Sequence, residues 1–216
     1  NGKMIMTTEP KFVPASAAKI SIDEFTANIK MIDCVGYVIK DAKGVEDENG
    51  PRYVMTPWYS EPIPFVEAAE IGTEKVIKDH STIGIVVTTD GSFGEFSRND
   101  YLEAEETVIT ELQEIGKPYI VLLNSVNPSS DATIKLANDL HEKYNVPVLA
   151  VSCQRMTEDD FDKLFILNSF ISEECHNEFA GTVRLVAAGK SAGPHARQQK
   201  LRFILRKAEK NLANAI

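Results

Sequence analysis

The chain has 216 residues, 43% hydrophobic and 25% charged, with a net charge of −9. Those totals describe one globular domain plus an appendage. They disfavour nonspecific nucleic-acid binding, and no apolar run approaches the roughly 18 residues of a membrane span. The start, Asn1-Gly2-Lys3-Met4, lacks a signal-peptide pattern. Cys34, Cys153 and Cys175 have neither metal-ligand spacing nor a disulfide framework, which suits a reducing cytosol. The charge is split: residues 1–161 carry 27 acids and 14 bases, residues 162–216 carry 5 acids and 9 bases.

The first informative residues are Thr7-Thr8, β-branched and followed by Pro10. They read either as an extended segment or as hydroxyls placed ahead of a strand, where a nucleotidase sets the threonine that ligates Mg²⁺ and senses the γ-phosphate. Ala18–Ile22 alternates as a strand, Asp23-Glu24 turns the chain, and residues 28–35 form the next strand, an antiparallel edge pair. That second strand ends in Asp33-Cys34-Val35-Gly36, a D-x-x-G. In a P-loop nucleotidase the aspartate of this motif directs Mg²⁺ and the glycine N–H meets the γ-phosphate at the start of a switch loop. A turn-making aspartate is the plain alternative.

Residues 37–64 contain four prolines, the sole tryptophan (Trp58) and the run Glu46-Asp47-Glu48, and sustain neither helical nor strand period. Their aromatics favour an ordered lid or interaction surface over a floppy linker. A helix is expected over 65–80, a doubly covered strand over 82–88, a helix capped by Asp100 and stopped at Gly116, and a buried strand over 119–124. A helix over 131–144 and a strand over 146–152 complete the pattern. Strands alternating with helices at this spacing indicate a doubly wound, mainly parallel α/β sheet with helices on both faces.

Asn124-Ser125-Val126-Asn127 follows a buried strand, where GTPases place N-K-x-D. Asn127 stands at the guanine-reading aspartate and Ser125 at the base-packing lysine. An amide cannot accept both guanine N–H bonds, so guanine selectivity should be lost. Asn124 remains able to touch the base edge. Ser152-Cys153 stands at the last base-binding loop, where only the serine matches.

The order of these motifs resembles translation-factor-type P-loop NTPases that have turned to ATP. The wording Met6-Thr7-Thr8-Glu9-Pro10-Lys11-Phe12-Val13-Pro14, Asp33-Cys34-Val35-Gly36-Tyr37, Glu46-Asp47-Glu48-Asn49-Gly50-Pro51-Arg52, Thr56-Pro57-Trp58-Tyr59 and Glu61-Pro62-Ile63-Pro64-Phe65 resembles the stage IV sporulation protein A family over residues 2–161. That resemblance implies a spore-coat ATPase that binds ATP and Mg²⁺. Hydrolysis would drive its self-association on the forespore surface, in the mother-cell cytoplasm, with coat and forespore-surface proteins as partners. It makes Thr7, Thr8, Asp33 and Gly36 the catalytic set and Asp33 with Thr8 the Mg²⁺ directors. Asn124 and Ser152 become the nucleotide-binding residues.

No G-x-x-x-x-G-K-[ST] motif occurs in the chain. Gly189-Lys190-Ser191 fails because residue 184 is Arg, and no buried strand is expected before it. The fold is therefore expected to lack the first strand, phosphate loop and first helix of such NTPases. The expected domains are 1–161, the ATPase-like unit, and 162–216, an atypical basic tail that reads as chimeric or as an amphipathic membrane- or partner-binding helix around 197–212. Two other functional readings stand beside the ATPase. One is a nucleotide-independent interaction module using 37–64. The other is a small GTPase relative, disfavoured by Asn127.

Overall fold

The computed structural model describes residues 11–22, 25–34, 36–39, 44–48, 50–164 and 182–188. The chain begins there with β1 (Lys11–Ile22), which turns back antiparallel onto β2 (Phe25–Asp33), Ile22 opposite Phe25 and Lys11 opposite Asp33. The register shifts between Val13 and Ala18. Pro14 falls in that irregularity, on an edge strand, where a missing ladder donor is tolerated.

Residues 46–64 form two small hairpins where the sequence shows no period: β3 (Glu46–Asp47) with β4 (Gly50–Pro51), and β5 (Tyr53–Thr56) with β6 (Tyr59–Pro64). Strand pairs this short need outside support. Here the Phe65 N–H donates to Arg52 O at 2.7 Å, and the Arg52 N–H donates to Val45 O at 2.9 Å.

Helix α1 (Phe65–Lys75) runs on through a π-helical turn at Val76–His80 and delivers the chain to β7 (Ile83–Thr89). The next helix starts differently from the expectation. Ser97, not Asp100, is the N-cap, and Asp100 completes a capping box by accepting from the Ser97 N–H (2.7 Å) and hydroxyl (2.8 Å). A 3-10 turn, Arg98–Tyr101, then leads into α2 (Leu102–Ile115), which Gly116 ends at φ +70°. Strand β8 (Tyr119–Asn124) is buried throughout. Helix α3 (Asp131–Tyr144) is capped by Ser130, whose hydroxyl accepts from the Thr133 N–H, and β9 (Val148–Val151) follows.

The main sheet has six strands in the order β1-β2-β10-β7-β8-β9, where β10 is Thr182–Ala188. All pairs but β1–β2 are parallel. This is a mixed α/β fold with a mainly parallel sheet flanked by helices, as the sequence pattern indicates, with one departure. The slot of the expected missing strand, between β2 and β7, is filled by β10 from the basic tail. Thr182–Ala187 pairs with Asn28–Asp33 on one side, and Leu185–Ala188 with Ile83–Val86 on the other. A strand paired on both sides therefore does precede Gly189-Lys190-Ser191.

The period of two in β7 and β8 separates two cores. Ile83, Ile85, Ile120 and Leu122 pack with Ile29, Met31, Met156 and Leu164 on one face. Val86 and Val121 pack with Ile32, Val76, Ile77, Val108, Ile109 and Leu112 on the other. The second face carries α1, α2 and α3, the last through Leu123, Ala137 and Leu140. The first is covered, among the described residues, by the helical turns at 158–164. Cys34 and Cys153 are buried, each packed into one of the two cores as a small side chain.

Candidate functional site

In a parallel sheet, ligands meet the carboxyl ends of the strands. Here those ends are Asp33, Thr89, Asn124, Val151 and Ala188, so the topology places Asp33, Asn124 and the Ser152 loop on one edge.

Asn124 is 1% exposed and ends β8. Its Oδ1 accepts the Cys153 N–H at 2.9 Å, tying β8 to the loop after β9. That bond fixes the amide's orientation and directs Nδ2 away from Cys153. Nδ2 is buried without a hydrogen-bond partner, as is the hydroxyl of Ser152. Orphaned polar atoms cost about 1–3 kcal/mol each when buried. Two of them lie at, or one residue beyond, the carboxyl ends of the neighbouring strands β8 and β9.

Ser125 does not replace lysine as a base-stacking residue. It is 1% exposed, its Oγ accepts the Asn127 N–H at 3.0 Å, and it lies 3.2 Å from Thr133 Oγ1. Asn127 stands exposed beside it. Ser125 thus shapes the loop that presents Asn127.

Asp90, the first residue past β7, joins this edge, although its sequence signal was only a strand-end turn. It accepts from the Ser92 N–H at 2.9 Å and from the Ser92 hydroxyl, and one oxygen lies 3.2 Å from Thr133 Oγ1. Burial alone would raise its carboxyl pKa. Hydrogen bonds from Ser125, Ser92 and Thr133 outweigh burial and hold it below the usual carboxylate range. The Val126 N–H donates to Ser92 Oγ at 2.9 Å, and Arg155 reaches Val126 O. Loops after β7, β8 and β9 are therefore stitched into one polar ridge.

A buried ion pair anchors that ridge from behind. Arg98 Nη2 donates to Glu105 Oε1 at 2.7 Å, Nη1 lies 2.6 Å from Oε2, and Nη1 also donates to Thr88 Oγ1 at 2.8 Å. The Tyr144 hydroxyl donates to Glu105 at 2.9 Å. Glu105 is 4% exposed. Burial pushes its carboxyl up, but Arg98 and Thr88 hold it below its ordinary value, and burial pushes the Tyr144 phenol up to about 12. This network fixes the ends of the 90–97 loop.

Thr7 and Thr8 lie outside the described residues. Asp33 is placed only as backbone, opposite Lys11 of β1 and Ala187 of β10, and its side chain is outside the description. Gly36 sits at φ +73°, which favours glycine. Its N–H donates to Thr73 Oγ1 at 3.0 Å, so presenting it to a phosphate requires that bond to break. Among the described residues no three His, Cys, Asp or Glu side chains cluster as a metal site. No described helix is long and apolar enough to cross a membrane.

Residues 184–188 are held in β10 between two strands. They cannot also wrap a phosphate ahead of Gly189-Lys190-Ser191, which itself lies outside the described residues.

The model of the family described as stage IV sporulation protein A, ATPase domain, matches residues 1–173. The chain belongs to the stage IV sporulation protein A family. It is 59% identical over 160 residues to stage IV sporulation protein A of Bacillus subtilis (strain 168), a match covering 74% of this chain and 32% of that protein. It is 58% identical over 160 residues to the Bacillus anthracis protein of the same name, with the same coverage. It is 50% identical over 165 residues to that of Clostridioides difficile (strain 630), covering 76% of this chain and 34% of that one. The chain thus spans about a third of the length of these curated stage IV sporulation protein A relatives. No solved structure matches it. Strand β10 lies beyond the residues matched by the family.

Proposed function

We propose that this chain carries the base-facing and metal-directing half of the ATP site of a sporulation ATPase. In the whole protein, hydrolysis would drive self-assembly of the coat's basement layer on the forespore surface, in the mother-cell cytoplasm, with coat and forespore-surface proteins as partners. One observation supports this above the others: Asn124 is locked by the Cys153 N–H with its Nδ2 orphaned, beside the orphaned Ser152 hydroxyl. That donor set suits the acceptor-bearing edge of a purine. Asn127 supplies an amide in place of a carboxylate, which favours adenine over guanine.

Asp33 and Thr8 would hold Mg²⁺, which when bound neutralises the charge of the phosphates. Thr7 and Thr8 would sense the γ-phosphate, with Gly36 released from Thr73 to meet it. The chain by itself should not turn over ATP, because the slot at the phosphate end is taken by β10. A phosphate-loop strand arriving from upstream would have to displace β10 from between β2 and β7.

The test uses this chain preceded by the upstream residues of the Bacillus subtilis relative. It should hydrolyse ATP in preference to GTP. Asn127→Asp should shift the kcat/KM ratio toward GTP by about ten- to a hundredfold, the worth of a charge-assisted hydrogen bond of about 1.5–3 kcal/mol. A GTP preference before the substitution, or no shift after it, would overturn the assignment.

A second reading is an interaction module using 37–64. It is favoured by the exposure of Tyr53 (60%), Met55 (56%) and Tyr59 (47%) in the β5–β6 hairpin.

A further inference from the structure

Two side chains at the carboxyl edge of the sheet are buried with a polar atom unpartnered: Asn124 through Nδ2 and Ser152 through its hydroxyl, at 1% and 6% exposure. They stand at the ends of the neighbouring strands β8 and β9, and the bond from the Cys153 N–H to Asn124 Oδ1 ties the two ends together. Each unpartnered atom can meet the polar edge of a ligand. Neither side chain is large enough to cover the face of a flat one.

One side chain crosses between the same two loops. The Arg155 N–H donates to Ser152 O at 2.8 Å, which folds the 152–155 turn back on the serine. From that turn Arg155 Nη2 reaches over and donates to Val126 O, two residues past Asn124. The Val126 N–H is held in turn by Ser92 Oγ at 2.9 Å, and Ser92 is held by Asp90. Val126 is thus fixed at both its N–H and its C=O, so the guanidinium rests on a rigid support. Arg155 itself is exposed. A guanidinium anchored at one nitrogen keeps a flat cationic face.

We propose that Arg155 is a ligand-binding residue of this edge: its guanidinium plane covers the face of the purine base whose polar edge Asn124 and Ser152 receive. The proposal rests on the ATP-site reading. Arginine planes stack on bases in this way, the positive charge lying over the negative face of the ring. Lysine carries a point charge without a plane and replaces arginine poorly at a stacked site.

The test measures binding without turnover. The chain supplied with the upstream segment is titrated calorimetrically with the β,γ-imido analogue of ATP and, separately, with inorganic tripolyphosphate. Wild type should bind the analogue more tightly than tripolyphosphate. Arg155→Ala should weaken the analogue about tenfold and leave tripolyphosphate unchanged, with the circular dichroism of the wild type. Arg155→Lys keeps the charge and a donor for Val126 O, and should recover only a minor part of the loss. If Arg155→Ala fails to fold, Arg155→Lys carries the test: it should weaken the analogue severalfold and spare tripolyphosphate.

Undiminished analogue binding in Arg155→Ala, beside a wild type that prefers the analogue, overturns the Arg155 assignment alone. Full binding in Arg155→Lys overturns it too, since the residue would then act as a tether or a charge. An equal loss for tripolyphosphate would give Arg155 to the phosphates and also overturns it. A wild type that binds both ligands equally overturns the base-site reading, and the proposal with it.

Discussion

Ending the chain at Gly181 removes β10 from the middle of the sheet. Six positions on β2 and four on β7 then lose their partners. A parallel ladder makes about one hydrogen bond per paired residue, and each contributes about 0.5–1.5 kcal/mol net. The loss is therefore about 5–15 kcal/mol, before any side-chain packing is counted. A domain of this size has only that much stability in total, so the truncated chain should have no cooperative transition. It should also associate through the opened edges of β2 and β7. Leu185→Pro is a milder version, removing one ladder donor from a central strand, and should lower the urea midpoint without abolishing it. Urea melts followed by circular dichroism, with light scattering for association, decide the matter. A truncated chain that melts cooperatively at the wild-type midpoint would refute the central position of β10 and restore the reading of 162–216 as an atypical tail beside the 1–161 unit.

Glu105→Gln should cost about 3 kcal/mol at pH 7, the low end for breaking a buried ion pair, because it leaves Arg98 facing a neutral group. The folded carboxyl is held below its ordinary value of 4.5, so its contribution is present above that pH and fades as pH falls through the folded value. Denaturation measured from pH 7 to pH 3 should show the wild-type advantage shrinking only in the acid range. With the upstream segment supplied, Asp33→Ala should impair Mg²⁺-dependent turnover. Thr7→Ala/Thr8→Ala should slow hydrolysis more than it weakens binding, and single-turnover kinetics separate the two effects.

The sheet was legible because β7 and β8 are short continuous apolar runs between amphipathic helices, and the edge hairpin because Asp23-Glu24 interrupts alternating residues. The hairpins of 46–64 were not legible, since their strands have two to six residues and are held by contacts to α1. β10 was missed because a change of charge at residue 162 says nothing about which strand slot a later apolar run will fill. The positions of Asn124 and Ser152 at the ends of β8 and β9 were readable from the strands before them. Asp90 and Thr133 were not, because their roles arise from loops that meet only in space.

The most direct test of the ATP-site assignment is photolabelling with 8-azido-ATP of the chain supplied with the upstream segment. Label should appear in peptides containing Asn124–Asn127 or Ser152–Arg155, and Asn124→Ala should abolish it while circular dichroism shows the fold retained. Label confined to other peptides, or undiminished labelling of the Asn124→Ala protein, would contradict the assignment of this edge as the nucleotide site.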